Sequence, residues 1–183
     1  RRQETLDRAR NLNLGDSYHI NPKNAVANAD LVVFCVPVGA NQALIKNCAS
    51  GLTKGAIVSD VGSCKSSVIN AIAPHLPEHT VLVPAHPVAG TESSGPDAGF
   101  AELFDGRWCI LTPEAGSNEA AVNKVAELWR QIGSNVEIMD ADHHDQVLAI
   151  TSHLPHLIAY TIVKTAADLE TDLKKEVVKF SAG

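Results

Sequence analysis

The sequence predicts an α/β fold in which a mostly parallel sheet carries helices on both faces and an all-helical part follows. Three observations predict it. Short apolar runs rich in Val, Ile and Leu recur between residues 31 and 139, and stretches of helical periodicity alternate with them. The run at 31–36 is continuously apolar rather than alternating, as expected of a strand buried on both faces. Past residue 140 the strand signal stops and only helical pattern remains.

Taken in order, residues 3–13 have helical spacing, with Leu6, Ala9, Leu12 and Leu14 apolar and Gly15 as the stop. Residues 22–28 suit a short helix, with Asn21 as N-cap and Pro22 at the first helical position. Residues 31–36 form a strand ended by Pro37 and Gly39, and 40–50 read as helix. Residues 56–60 are the next strand, followed by the loop Val61-Gly62-Ser63-Cys64 and a helix from Lys65 to Ala73, broken by Pro74. The strand at 80–84 ends in Pro84, and a loop carrying His86 follows. Residues 107–112 read as strand. Ser117 is the expected cap of a helix to about residue 132, with Val122, Val125, Leu128 and Trp129 inside. Gly133 ends that helix, and 135–139 is the last strand. A long helix is expected over 141–169, kinked or interrupted by Pro155 because proline lacks an N–H and crowds the preceding turn. A further helix is expected over 172–179. The boundary therefore falls near residue 139, with 1–139 one domain and 140–183 the start of a helical one.

Composition excludes several function classes. The 183 residues are 45% hydrophobic and 20% charged, with net charge −6. This is an ordinary globular profile, and with no basic run a nucleic-acid or anionic-membrane partner is not expected. No apolar stretch in the sequence approaches the roughly 20 residues of a bilayer span, and there is no signal peptide. The four cysteines show no CxxC spacing. Cys35 and Cys109 read as reduced core residues, Cys64 as an incidental or reactive loop thiol, and a cytoplasmic location follows. The chain starts without Met inside a helix start and stops just after a helix. Both ends read as cuts through a larger protein.

Three clusters sit at expected strand ends, where ligands bind in open α/β sheets. Val36-Pro37-Val38-Gly39 closes a buried strand where a dinucleotide would lie across the sheet edge; a plain β-to-α turn is the other reading. Asp60-Val61-Gly62-Ser63-Cys64-Lys65 opens a helix, so Ser63 either meets a polar ligand at the helix N-terminus or simply caps it. His86 is followed by Thr91, Glu92 and Ser93. Histidine is suited to moving a proton near neutral pH, although a loop histidine can also be a bystander. In the long helix, Ser152-His153-Leu154-Pro155-His156 places two histidines three apart, while His143 and His144 at its start are expected to be exposed. HExxH and cysteine pairs are absent, so no metal site is expected. GxxxxGK[ST] is absent. GxGxxG is absent too, and belongs to a first strand-turn-helix upstream of residue 1 in a fold of this kind.

Together, residues 29–38 (ADLVVFCVPV), 59–65 (SDVGSCK), 86–95 (HPVAGTESSG), 103–108 (LFDGRW) and 152–156 (SHLPH) resemble the prephenate/arogenate (cyclohexadienyl) dehydrogenases of tyrosine biosynthesis, along essentially the whole chain. Cys64 departs from the more usual valine. The resemblance implies a Rossmann-type domain lacking its first strand-turn-helix, then a helical substrate and dimerisation domain. It implies oxidative decarboxylation of prephenate or arogenate with hydride transfer to NAD or NADP. By the same resemblance His86 and Ser63 are catalytic, Glu92, Thr91, His153 and His156 line the substrate pocket, and Val36, Pro37, Val38, Asp60, Gly62 and Ser63 hold the cofactor. The carboxylate-binding arginine of the family lies past Gly183, and the helical domain makes a homodimer. Two rivals remain. Another NAD(P) oxidoreductase of the 3-hydroxyacid-dehydrogenase-like group would place a catalytic lysine or asparagine in the long helix, where SHLPH stands instead. A non-catalytic nucleotide or amino-acid sensor would need no base.

Overall fold

A computed structural model of the chain describes residues 2–91, 93–168 and Lys179. Arg1, Glu92 and, apart from Lys179, the helix expected over 172–179 lie outside the described residues. The chain divides into two compact units, Arg1–His144 and Asp145–Gly183.

In the first unit the order is α1 (Gln3–Asn11), α2 (Pro22–Ala25), β1 (Leu31–Phe34), α3 (Asn41–Cys48), β2 (Ile57–Asp60), α4 (Lys65–Ile72), β3 (Val81–Leu82), β4 (Ala85–Pro87), β5 (Trp108–Leu111), α5 (Glu119–Gln131) and β6 (Asn135–Ile138). The helix α6 (Ala141–Leu148) starts in this unit. Asn21 caps α2 as expected, its side-chain oxygen accepting from the Lys23 N–H at 3.0 Å. The cap of α5 is Asn118 rather than Ser117: its Oδ1 accepts from the Ala121 N–H at 3.0 Å and starts the helix one residue later.

β1, β2 and β3 pair in parallel, with Val58 opposite Val32 on one side and Leu82 on the other. β5 and β6 are also parallel, but β4 runs antiparallel to β5, with His86 opposite Ile110. The expected strand over 80–84 is observed as the shorter β3, and a second strand, β4, follows Pro84 where a loop was expected. Pro84 has no N–H to give, so the ladder breaks there. The Val83 N–H still reaches the Val58 carbonyl at 2.8 Å, while the Pro84 carbonyl accepts from Thr112 at 3.0 Å on the other side. His86 consequently lies within β4, not in a loop.

Successive strand residues face opposite ways. Ile57 joins Val83, Ala85, Cys109, Leu111 and the α5 residues Val122, Val125, Ala126 and Trp129 in one core. Its neighbour Val58 joins Phe34, Ile45, Cys48, Val68 and Ile72 in the other, under α3 and α4. Helices therefore cover both faces. Cys109 is in the first core, but Cys35 is exposed, because β1 stops at Phe34.

In the second unit the winding changes after α6. Residues Ala149–His153 form a π-type turn, and α7 (Leu154–Ala167) follows with Pro155 in its first turn. The missing proline N–H and the bulk of its ring are accommodated by this wider turn, in which the Thr151 hydroxyl donates to the Val147 carbonyl at 2.9 Å. Proline therefore rewinds the helix instead of ending it. As a result Ala141–Ala167, 27 residues, is long and apolar enough to cross a bilayer on length and composition alone, contrary to the expectation that no stretch approached that size.

Candidate active site

The turn after β2 is built around a buried ion pair. Asp60 and Lys65 are both 0% exposed. Lys65 Nζ donates to Asp60 Oδ2 and to the Ala85 carbonyl, each at 2.6 Å. The Gly62 N–H donates to the same carboxylate oxygen at 2.7 Å and the Ala85 N–H to Oδ1 at 3.2 Å. Charges withdrawn from water persist only when paired and hydrogen-bonded in this way. The network ties β2 and the start of α4 to the residue before His86. The Asp60 carboxylate is enclosed and acts as an internal strut. Gly62 has spent its N–H on Asp60, and a Cβ there would lie 2.9 Å from Asp60 Oδ2 and 2.9 Å from a Val68 methyl, so its glycine serves close packing.

His86 follows directly. It is 7% exposed in β4, and its Nδ1 lies 2.8 Å from Nε2 of His144, which is fully buried. The rings meet edge to face with centroids 5.1 Å apart. His144 was expected to be exposed. Asp140 decides otherwise: its Oδ1 accepts from the Asp142 and His143 N–H groups at 2.9 and 3.0 Å, which sets the start of α6 and turns His144 inward. The available signal was helical spacing, since His144 and the buried Leu148 are four apart on one face. Behind β4, Cys109 is opposite Pro87, and burial pushes its thiol up to about 12 despite the nearby Lys65 charge and the His86 backbone N–H.

Ser63 is half-buried and is not the helix cap. The N-cap of α4 is Cys64, with no side chain capping it, and the Ser63 hydroxyl lies 4.0 Å from the Cys64 sulfur. Val36, Pro37 and Val38 stand at the carboxyl end of β1, Pro37 exposed and the valines half-buried. Thr91 is exposed and Glu92 lies outside the described residues. His153 ends the π turn half-buried, and His156 is exposed on α7; both belong to the second unit. An open polar cleft of about 500 Å³ lies in the first unit between α4, the loop after β5 and the start of α6, lined by Ser66, Asn70, Thr112, Glu114, Asp140 and Asp142 among others. None of the expected site residues is among the described residues that line it.

This chain is similar to known proteins over nearly its whole length. Residues 1–138 match the model of the prephenate dehydrogenase nucleotide-binding domain, and residues 140–183 match that of the prephenate dehydrogenase dimerization domain. It is 47% identical over 177 residues to a cyclohexadienyl dehydrogenase from Zymomonas mobilis, covering 97% of this chain and 60% of that protein. The crystal structure of prephenate dehydrogenase from Aquifex aeolicus superposes with a TM-score of 0.84 at 29% identity, over 93% of this chain and 61% of that one. The Aquifex aeolicus enzyme in complex with hydroxyphenyl propionate and NAD+ gives 0.80 at 28%, over 93% of this chain and 59% of that one. The chain thus spans about 60% of the length of these relatives. With residues 1–138 and 140–183 matched by the two domain models, the chain belongs to the prephenate dehydrogenase family.

Proposed function

We propose that the protein containing this chain is a cytoplasmic NAD(P)-dependent dehydrogenase that oxidatively decarboxylates prephenate or arogenate, giving 4-hydroxyphenylpyruvate or tyrosine. Residues 1–139 form the nucleotide-binding part and 140–183 the start of the helical substrate and dimerisation part. The observation that carries the reading is His86: a nearly buried imidazole in a strand, its ring against His144 and the residue before it, Ala85, gripped by the Asp60–Lys65 pair, in a chain of this family. A sensor domain has no use for a histidine held so firmly.

A dinucleotide fits the carboxyl end of β1, where Pro37 is exposed and a side chain at Gly39 would meet no atom within 4 Å. Bound there, it would supply the acceptor for the hydride leaving C4 of the substrate ring. The chain's own part is the proton. His86 accepts the proton of the C4 hydroxyl at Nε2 as the C–H bond breaks, the ring carboxylate leaves as CO2, and its electron pair aromatises the ring. Ser63, left over by the helix cap, bonds the hydroxyl or orients the histidine. Thr91, Glu92, His153 and His156 are the candidate substrate-binding residues that the family resemblance implies. The helix α7 has no buried residue, and Ile150, Leu157, Ile158, Ile162 and Val163 are all exposed, which suits a second copy of the chain packing on it. The dimerization-domain match supports that occupant over a bilayer. Four free cysteines suit a reducing compartment.

The test is absorbance at 340 nm with the full-length protein, prephenate and then arogenate, each with NAD and with NADP. Reduction of cofactor with a phenolic product is the expected result and settles both choices. No reduction in any of the four mixtures by folded, dimeric protein overturns the reading.

A further inference from the structure

We infer that His144 is a positioning residue that fixes the tautomer of His86, a role that rests on the reading of His86 as the proton acceptor. A neutral imidazole has one N–H, and only the nitrogen without it can take a proton. The 2.8 Å contact joins Nδ1 of His86 to Nε2 of His144. For His86 to accept a proton at Nε2, Nδ1 must carry the hydrogen and donate it to His144. His144 is suited to receive it. It is fully buried, so water does not compete for the bond, and its place is set by the Asp140 cap one turn earlier and by its own N–H on the Asp140 carbonyl at 2.9 Å. The backbone beneath His86 is held independently, because the Asp60–Lys65 pair grips both the N–H and the carbonyl of Ala85. Strand and ring thus have separate anchors, and removing His144 takes away the Nδ1 contact without releasing the strand. Among the described residues the charged and titratable groups near β4 include the paired Asp60 and Lys65 and the protonated Cys109, and His144 is the group in contact with Nδ1 of the ring.

The experiment is imidazole ¹⁵N–¹H correlation on the ¹⁵N-labelled full-length protein at about pH 8, where histidine is neutral. The His86 signals are those lost in His86→Asn. The expected spectrum has His86 Nδ1 protonated and Nε2 bare, the reverse of the form a free histidine side chain prefers. In His144→Ala the hydrogen shifts toward Nε2, and kcat falls about 10- to 100-fold, the scale seen when a hydrogen-bonded partner that orients a histidine is removed. KM for the cofactor stays unchanged. His144→Gln, whose amide oxygen can accept the same hydrogen bond, recovers much of kcat. A wild-type His86 protonated on Nε2 overturns the inference whether or not any variant folds, and so does a His144→Ala enzyme with unaltered tautomer and kcat. Inactivity of the wild type in all four substrate mixtures sinks the proposed function instead, while the spectrum still reports whether His144 sets the ring.

Discussion

At the scale of single residues, His86 and the Asp60–Lys65 pair behave differently under substitution. His86→Asn keeps a polar side chain in β4 but removes the proposed proton acceptor. In the full-length protein, on the proposed function, kcat should fall by about 10²–10⁴, the usual worth of a general base, with cofactor affinity retained. An unchanged kcat would remove His86 from the chemistry. Ser63→Ala should lower the same step by less, since its hydroxyl assists and does not take the proton. Lys65→Met leaves the Asp60 carboxylate buried without its cation, and stability should drop by about 3–5 kcal/mol in chemical denaturation. The double variant Asp60→Leu/Lys65→Met removes both charges and should recover a large part of that loss. Equal losses in the single and double variants would mean the pair contributes through packing and not charge.

At the scale of elements, three local decisions place the site. Pro84 splits one apolar run into a parallel and an antiparallel strand, and the antiparallel half carries His86. Asp140 starts α6 and turns His144 inward. The π turn before Pro155 keeps the helical run going into α7. Asn118 makes the same point for α5, which supplies one whole wall of a core. Asn118→Ala should cost about 1 kcal/mol through loss of the cap to Ala121. Ser117→Ala should cost nothing measurable; comparison of the two denaturation midpoints checks which residue is the cap.

At the scale of the whole molecule, thiol reactivity and assembly report on what is inside. Cys48 and Cys109 are buried, and burial raises both thiols, Cys109 to about 12. A raised thiol stays protonated in the fold while the unfolded chain ionises near the ordinary value of about 8.5. Its contribution to stability is therefore complete below that value and is lost as pH rises toward 12. Native protein at about pH 8 should react with a thiol reagent at exposed Cys35 and half-buried Cys64, and at all four cysteines only after unfolding. Fast labelling of Cys109 in the native state would contradict its place in the core. Leu157→Asp on the bare face of α7 should shift the full-length protein toward monomer in sedimentation, because a carboxylate in an apolar interface stays unsolvated.

Much of the fold was legible because local chemistry decides it. Apolar runs, the Asn21 cap, Gly133 after α5 and the shift to helix past 140 all lie where residue type and spacing put them. The motifs HPVAGTESSG and SDVGSCK put His86 and Ser63 forward as candidates through the family resemblance. Spacing alone misassigned the residues whose role depends on a partner far along the chain. The buried pairing of Asp60 with Lys65 and Ala85 could not be read from spacing. Cys35 looked buried until β1 stopped short of it. His144 looked like one more exposed histidine at a helix start until Asp140 turned it onto His86, 58 residues away in sequence. Which elements form, and which residue types could carry the chemistry, follow from propensity and periodicity along the chain. Which of those residues meet, and hence which charge is strut and which imidazole is held, was decided only by tertiary packing, because a buried polar group takes its role from the partner that satisfies it.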